Sequence, residues 1–341
     1  MTRHRLRIIT DLANLDGVRT DKYVAEAHQI PEDESLGGGV RLFFAAFGHD
    51  LVLLNSGTRR LLSLCAMMWL LPFRRWRLIS LDIHLLEPVG WKQRVRALIV
   101  RFLLRKVDLH ILYFKDLEGY ERYYGISPAN SRFVPFKVNS WENLPKQDAL
   151  MLDGDYVFCG GRSLRDLKTF KEAMAQIPYP GLLLYQHDAS FMETYGTAVD
   201  LDGLPSNVRA VCHDGNNDTW IDFIRNAKLV VIPALPNSIY APGLSLYLLA
   251  MALRRCVIIS EGPQTRGLLK DEAIIVPPGD PNALAQAIRR SWVDNNLRES
   301  TADSGRRYAE SCAGEARMLH DIVEICGVLQ FAELAIKRSV L

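Results

Sequence analysis

The stretch IYAPGLSLYLLAMALRRCVIIS, Ile239 to Ser260, passes from a loop through one glycine into an amphipathic helix and then a short apolar strand. A glycine that opens a helix between two strands is how many nucleotide-binding units are built. The stretch is also poor in acids. From Cys212 to Ser260 the carboxylates are Asp214, Asp218 and Asp222 alone.

The same pattern extends in both directions. RLRIITDL (Arg5 to Leu12), HDLVLLN (His49 to Asn55), RLISLDIH (Arg77 to His84), VDLHILY (Val107 to Tyr113) and SRFVPF (Ser131 to Phe136) read as strands of a first domain. A second series comprises DYVFCGG (Asp155 to Gly161), GLLLYQH (Gly181 to His187), VRAVCH (Val208 to His213), KLVVIPA (Lys228 to Ala234), CVIIS (Cys256 to Ser260) and AIIVPPG (Ala273 to Gly279). Helical patterns such as DLKTFKEAMAQI and PNALAQAIRRSWVD lie between them. Runs apolar on both faces that alternate with helices belong to parallel sheets covered by helices. The expected class is α/β with two doubly wound, Rossmann-like domains. Residues 1–140 form the first and 141–319 the second, with polar NSWENLPKQDALMLDGD as the linker. A helix over 320–341 closes the chain.

Composition agrees with this plan, since 341 residues exceed one ordinary core. With 48% hydrophobic and 23% charged residues, the chain should fold as a soluble globular protein. MTRHRLRIITDLANL lacks a long apolar core and a small-residue cleavage site, so a cytoplasmic protein is expected. The cysteines (Cys65, Cys159, Cys212, Cys256, Cys312, Cys326) are scattered without a C-x-x-C pair and read as buried thiols in a reducing compartment rather than disulfides or zinc ligands. The net charge of +2 conceals an asymmetry. Eleven Lys or Arg face two acids, Asp82 and Glu87, between Arg59 and Lys106, so one surface should meet something anionic.

Ligands of open parallel sheets bind beyond the carboxyl ends of the strands, where glycines permit close approach and helix N-termini offer N–H groups to phosphate. Two strand ends fit. FCGGRSLRDLKTF places Gly160 and Gly161 at a strand terminus, followed by Arg162, Arg165 and Lys168. PALPNSIYAPGLSLYLLAMAL puts Gly243, Leu244 and Ser245 at a helix start. Each glycine alone could serve tight packing, but two such turns in one domain, one of them basic, point to phosphate.

With these residues in view, the second half resembles the donor-binding domain of retaining glycosyltransferases of the GT-B fold, especially the large family four. The features that carry the resemblance are Gly161-Arg162 with RDLKTFKEA, Ile232-Pro233, Gly243, LAMALRRCVII and IIVPPGDPNALAQAIRR, over Tyr156 to Tyr308. The first domain matches in outline through VDLHILYFKDLEGYERYYGISPANSRFVPF. The resemblance implies two domains facing a cleft, a nucleotide-sugar donor as substrate, and no metal or other cofactor. It implies Arg162, aided by Arg165 or Lys168, for the diphosphate. His213 falls where the family's loop lines the base, although packing would also explain it. His84 falls at a strand end where the family has a donor-contacting histidine, or else it satisfies a backbone carbonyl. Asp82 could polarise an acceptor hydroxyl or cap a helix. The sequence departs from the family where two glutamates are usual, since those places fall on Ala241 and Leu249. The family's glycine-rich acceptor loop is missing unless LGGGVRLFF, Leu36 to Phe44, serves instead.

RRLLSLCAMMWLLPFRRWR holds an apolar run too short to span a bilayer, which needs about 20 residues. In WKQRVRALIVRFLLRK, helical spacing gathers Arg94, Arg101 and Arg105 on one stripe and Lys92, Arg96 and Lys106 on another. Apolar sectors lie between them on both sides. One sector can pack on the sheet; the other suits the plane of an anionic membrane, unless both are buried. Nucleic acid is a poorer partner, because the cations alternate with Leu, Ile and Met rather than with stacking aromatics.

The expectation is therefore a cytoplasmic, peripheral-membrane hexosyltransferase of polysaccharide biosynthesis, acting with retention on a glycan or lipid-linked acceptor. The alternatives are a non-catalytic GT-B subunit or scaffold, and a sugar-nucleotide epimerase of the same fold.

Overall fold

The computed structural model of the chain describes residues 3–33, 35–55, 58–144, 154–186 and 196–338, with side chains as far as 331. Most of the expected linker, and His187 at the end of one expected strand, lie outside the described residues. The chain divides into two compact units, Met1–Pro135 with Ala316–Leu341, and Phe136–Glu315.

The first unit contains β1 His4–Thr10, β2 Tyr23–Gln29, β3 Leu51–Leu54, β4 Arg77–Leu81, β5 Leu109–Leu112 and β6 Ser131–Phe133. All pair in parallel, in the order β2-β1-β3-β4-β5-β6. LVLL of β3 and LHIL of β5 are buried throughout, as an all-parallel sheet covered on both faces demands. The helices α1 Leu36–Ala45, α2 Thr58–Leu70, α3 Gly90–Leu104 and α4 Glu118–Tyr124 follow β2, β3, β4 and β5 in turn. Each of these connections steps the same way across the sheet, so right-handed crossovers put all four helices on one face. Consecutive members of this layer are in contact.

Two expectations change in this unit. β2 was absent from the expected strands: YVAEAHQ buries Tyr23 and Ala25 while its far end is exposed, as suits an edge strand with few apolar residues. LGGGVRLFF is not a loop but α1. Ser35 caps it by accepting from the Gly38 N–H at 3.0 Å, which satisfies an otherwise orphaned donor. Gly39 sits where α1 meets α2, and a Cβ there would lie 2.6 Å from the Leu64 nitrogen and 2.7 Å from the Arg60 carbonyl oxygen. Gly39 thus serves the close approach of two helices, while Gly38 faces the Asp33 carboxylate.

The second unit contains β7 Val157–Gly160, β8 Gly181–Gln186, β9 Val208–His213, β10 Leu229–Ile232, β11 Cys256–Ser260 and β12 Ile274–Val276, in the order β12-β11-β10-β7-β8-β9 and all parallel. Its helices are α5 Leu167–Met174, α6 Asn217–Arg225, α7 Leu244–Ala252, α8 Pro281–Val293 and α9 Asn295–Cys312. Asp166, Asn216, Asp280 and Asp294 cap α5, α6, α8 and α9 through side-chain oxygens. α7 differs, because its N-cap is Gly243 and no side chain caps it. The final helix, α10 Glu315–Arg338, packs within the first unit, where Phe331 stacks on Tyr23 at 5.8 Å.

The two sheets are therefore doubly wound. In the second, the chain runs β7-β8-β9 to one edge, then returns to lay β10 beside β7 and runs to the other edge. β7 and β10 flank the topological switch point, where open α/β sheets take their ligands. In the first sheet the corresponding pair is β1 and β3.

Candidate functional site

The candidate site is built where β7 and β10 end. Asp166 donates its N–H to the Pro233 carbonyl at 3.0 Å, and the Leu235 N–H reaches the Leu164 carbonyl at 3.0 Å. These bonds zip the loop after β7 to the loop after β10 in an antiparallel bridge. Thr197, fully buried, accepts from the Arg165 N–H at 2.9 Å and donates to the Arg162 carbonyl at 2.5 Å. No sequence signal marked this threonine, whose importance arises only from the approach of a distant loop.

Arg165 is the centre of the arrangement. Its Nε donates to the Gly160 carbonyl at 2.9 Å and its Nη1 to the Ser163 carbonyl at 2.7 Å. The residue is only 3% exposed, and burial lowers its guanidinium to about 10. Among the described residues no carboxylate forms an ion pair with it; neighbouring Asp166 is committed to capping α5 and to the Thr169 hydroxyl. Taking such a cation out of water costs several kcal/mol unless an opposite charge compensates it. An anionic ligand at this point would supply that charge.

The glycines define where such a ligand would approach. Gly161 has φ 102° and Gly243 φ 90°, both in the left-handed region. A Cβ on Gly161 would come within 2.6 Å of the Arg165 Nη2, and one on Gly243 within 3.3 Å of the same atom. Both turns thus converge on the same guanidinium nitrogen. α7 begins beside it, with Leu244 buried and Ser245 exposed in its first turn. Its N-terminal dipole favours negative charge there. Beyond Ser245 the helix is buried on every side. Ala241 and Leu249 are both core residues, so the places where the resemblance expects glutamates are filled by hydrocarbon.

The structure separates the remaining cations. Arg162 is exposed on the same turn. Lys168 lies on the outer side of α5, 83% exposed and 3.9 Å from Glu172, and is not gathered with the buried Arg165. His213 is held locally. Its Nδ1 accepts from the Gly215 N–H at 3.2 Å, which leaves Nε2 to donate to the Asn216 carbonyl at 3.2 Å. The ring meets Trp220 edge-on at 5.6 Å, and Trp220 in turn packs on Phe158 and close to Gly160.

In the first unit β4 stops at Leu81, so Asp82 and His84 stand on the loop beyond it rather than in a strand. They follow β4, one strand removed from the β1/β3 switch point. Asp82 adopts φ 47°, a conformation aspartate tolerates, and its carboxylate lies 3.3 Å from His84 Nε2. Three tyrosines of α4 hold this loop. Tyr120 donates to the Ile83 carbonyl at 2.7 Å and accepts from the Leu85 N–H at 3.1 Å. Tyr124 donates to the Leu86 carbonyl at 2.7 Å and Tyr123 to Glu87 at 2.8 Å. The motif YERYY carries this signal in the sequence, with three hydroxyls on one short helix.

No protein-family model and no curated protein matches the chain. Solved structures do. HepE of Anabaena in complex with UDP and glucose is similar over 94% of this chain and 99% of its own, with 14% identity and a TM-score of 0.66. Sucrose-phosphate synthase of Thermosynechococcus elongatus matches over 92% and 85%, with 20% identity and a TM-score of 0.65. The α,α-trehalose 6-phosphate synthase of Burkholderia multivorans matches over 89% and 74%, with 13% identity and a TM-score of 0.61. The two parallel six-stranded sheets and these likenesses define the GT-B fold.

Proposed function

We propose that the protein is a glycosyltransferase that moves a sugar from a nucleoside-diphosphate donor to a hydroxyl of a glycan or lipid-linked acceptor. The observation that carries this reading is the β7/β10 switch point. There a buried, carboxylate-free guanidinium, two left-handed glycine turns and a helix N-terminus without a side-chain cap converge. In transfer, the C1–O bond to the diphosphate breaks and negative charge collects on the departing phosphate. Preorganised cations and N–H groups aimed at that charge stabilise the transition state. Arg165 and the start of α7 fill this role from below, and Arg162 from the exposed side. The acceptor oxygen bonds to C1 on the face that the diphosphate leaves, its hydroxyl polarised by Asp82 and its proton passing to the departing phosphate oxygen. Retention of configuration is carried over from the resemblance to family four. HepE was solved with UDP-glucose, which makes UDP-hexoses the first donors to try.

The cationic region over α2 and α3 supports a place on an anionic membrane surface, and hence a lipid-linked acceptor. Among the described residues no helix is long and apolar enough to cross a membrane. Buried Ala241 and Leu249 favour a second reading, a subunit of the same fold that has lost catalysis. The two separate in one assay. The purified protein is incubated with UDP- and GDP-sugars and a membrane lipid extract, and release of nucleoside diphosphate is followed. Extract-dependent release supports the transferase; no release from any donor supports the non-catalytic subunit.

A further inference from the structure

The apolar residues that remain in solvent are concentrated in the first unit. On α3 the buried positions are Ala97, Val100 and Leu104, while Trp91, Val95, Leu98 and Phe102 are exposed at a helical spacing of one stripe. Trp69, near the end of α2, stacks on Phe102 at 4.4 Å, and the Lys106 ammonium lies 3.9 Å over the Trp69 ring. These contacts join α2 to α3 in one surface with a cation at its rim.

α1 extends that surface. Its inner side is fixed by Gly38, Gly39, Leu42 and Phe43. Its outer side carries Leu36, Val40 and Phe44, continued by Phe47, with exposures of 66%, 39%, 59% and 51%. Since α1, α2 and α3 form one layer on one face of the sheet, their outer sides share a direction. A face of large hydrocarbon side chains costs free energy in water at about 25 cal/mol per Å². Charge identifies what covers it. The adjoining α2–α3 segment is strongly cationic, and Arg59, Lys92, Arg94 and Arg105 are exposed there. Apolar side chains rimmed by long cations that can snorkel suit the boundary between anionic headgroups and acyl chains.

We infer that α1 is a membrane-inserting helix whose Leu36–Phe44 stripe and Phe47 enter the acyl boundary of an anionic bilayer beside the cationic α2–α3 surface. This rests on the membrane part of the proposed function and not on sugar transfer. Two forces then act together, one screened by salt and one not.

The test is sedimentation with vesicles of phosphatidylglycerol and phosphatidylcholine, at low salt and at roughly 1 M salt, where charges are screened beyond about 3 Å. Val40→Ser/Phe44→Ser/Phe47→Ser is compared with Arg94→Glu/Arg105→Glu; Arg101 is left intact because it bonds the Arg122 carbonyl. The expected result is that the native chain keeps a salt-resistant bound fraction. The serine variant loses that fraction and still binds at low salt, and the glutamate variant loses the low-salt increment. Serine-variant binding equal to native at high salt overturns the insertion but spares the charged surface. Absence of all native binding overturns both. A lipid-free dimer abolished by the serine substitutions assigns the face to a second copy and also overturns the inference. Phe44→Trp guards against misfolding of the serine variant: bromine-labelled acyl chains should quench the added emission, and unquenched emission on bound protein counts against insertion.

Discussion

Arg165 Nε donates to the Gly160 carbonyl at 2.9 Å, so this buried cation is tied to the very turn that ends β7. Charge and backbone are thereby positioned as one piece. Arg165→Lys keeps the charge but cannot make the planar fork to Gly160 and Ser163. Binding of nucleoside diphosphate should weaken roughly 10- to 100-fold, the equivalent of about 1.5–3 kcal/mol for a charge-assisted bond. Calorimetric titration of the variant beside the native chain checks this, and unchanged affinity would reduce Arg165 to a structural pin.

Gly243→Ala tests the second turn. The new Cβ would stand 2.8 Å from the Ile232 Cγ2 in a left-handed backbone, at a cost of about 1–3 kcal/mol. The expected outcome is a lower unfolding midpoint together with lost nucleotide binding, read by thermal melting and titration.

Tyr120→Phe removes the hydroxyl that serves both the Ile83 carbonyl and the Leu85 N–H, in a fully buried setting. Leaving those groups unsatisfied costs about 1–3 kcal/mol. Urea unfolding should report that loss. Transfer activity should fall more than donor affinity, because the loop that moves carries Asp82 and His84.

His110 provides a pH test of stability. Burial holds its imidazole down at about 4, with Nδ1 2.6 Å from the Ser80 hydroxyl. In the unfolded chain it titrates near 6.5. Between those values the unfolded state takes up a proton that the folded state refuses. The stability present above pH 6.5 should therefore decline as pH falls toward 4 and then level off, by about 3 kcal/mol from this group. Unfolding midpoints across that range check it, and His110→Gln should flatten the slope.

The sequence disclosed the doubly wound plan because buried parallel strands such as LVVI and CVIIS leave apolar runs that no surface element would show. It missed β2, whose exposed end alternates with polar residues. It left open whether the glycines of α1 form a ligand loop, because helix packing, as at Gly39, and ligand approach both call for the same residue. At the candidate site, the two glycine turns and their arginines were visible as local spacing. The division of labour between Arg165 and Lys168 was not, since burial of one and exposure of the other depend on loops zipped together from distant positions. Thr197 was invisible for the same reason.

The central claim is that the β7/β10 switch point binds a nucleoside diphosphate despite Ala241 and Leu249. Calorimetric titration of the purified protein with UDP, GDP and a panel of their sugars, beside Arg162→Ala, tests it most directly. The account predicts saturable binding of one nucleotide and at least about a tenfold loss in the variant, or roughly 1.4 kcal/mol. No binding of any nucleotide, or equal binding by the variant, would contradict it.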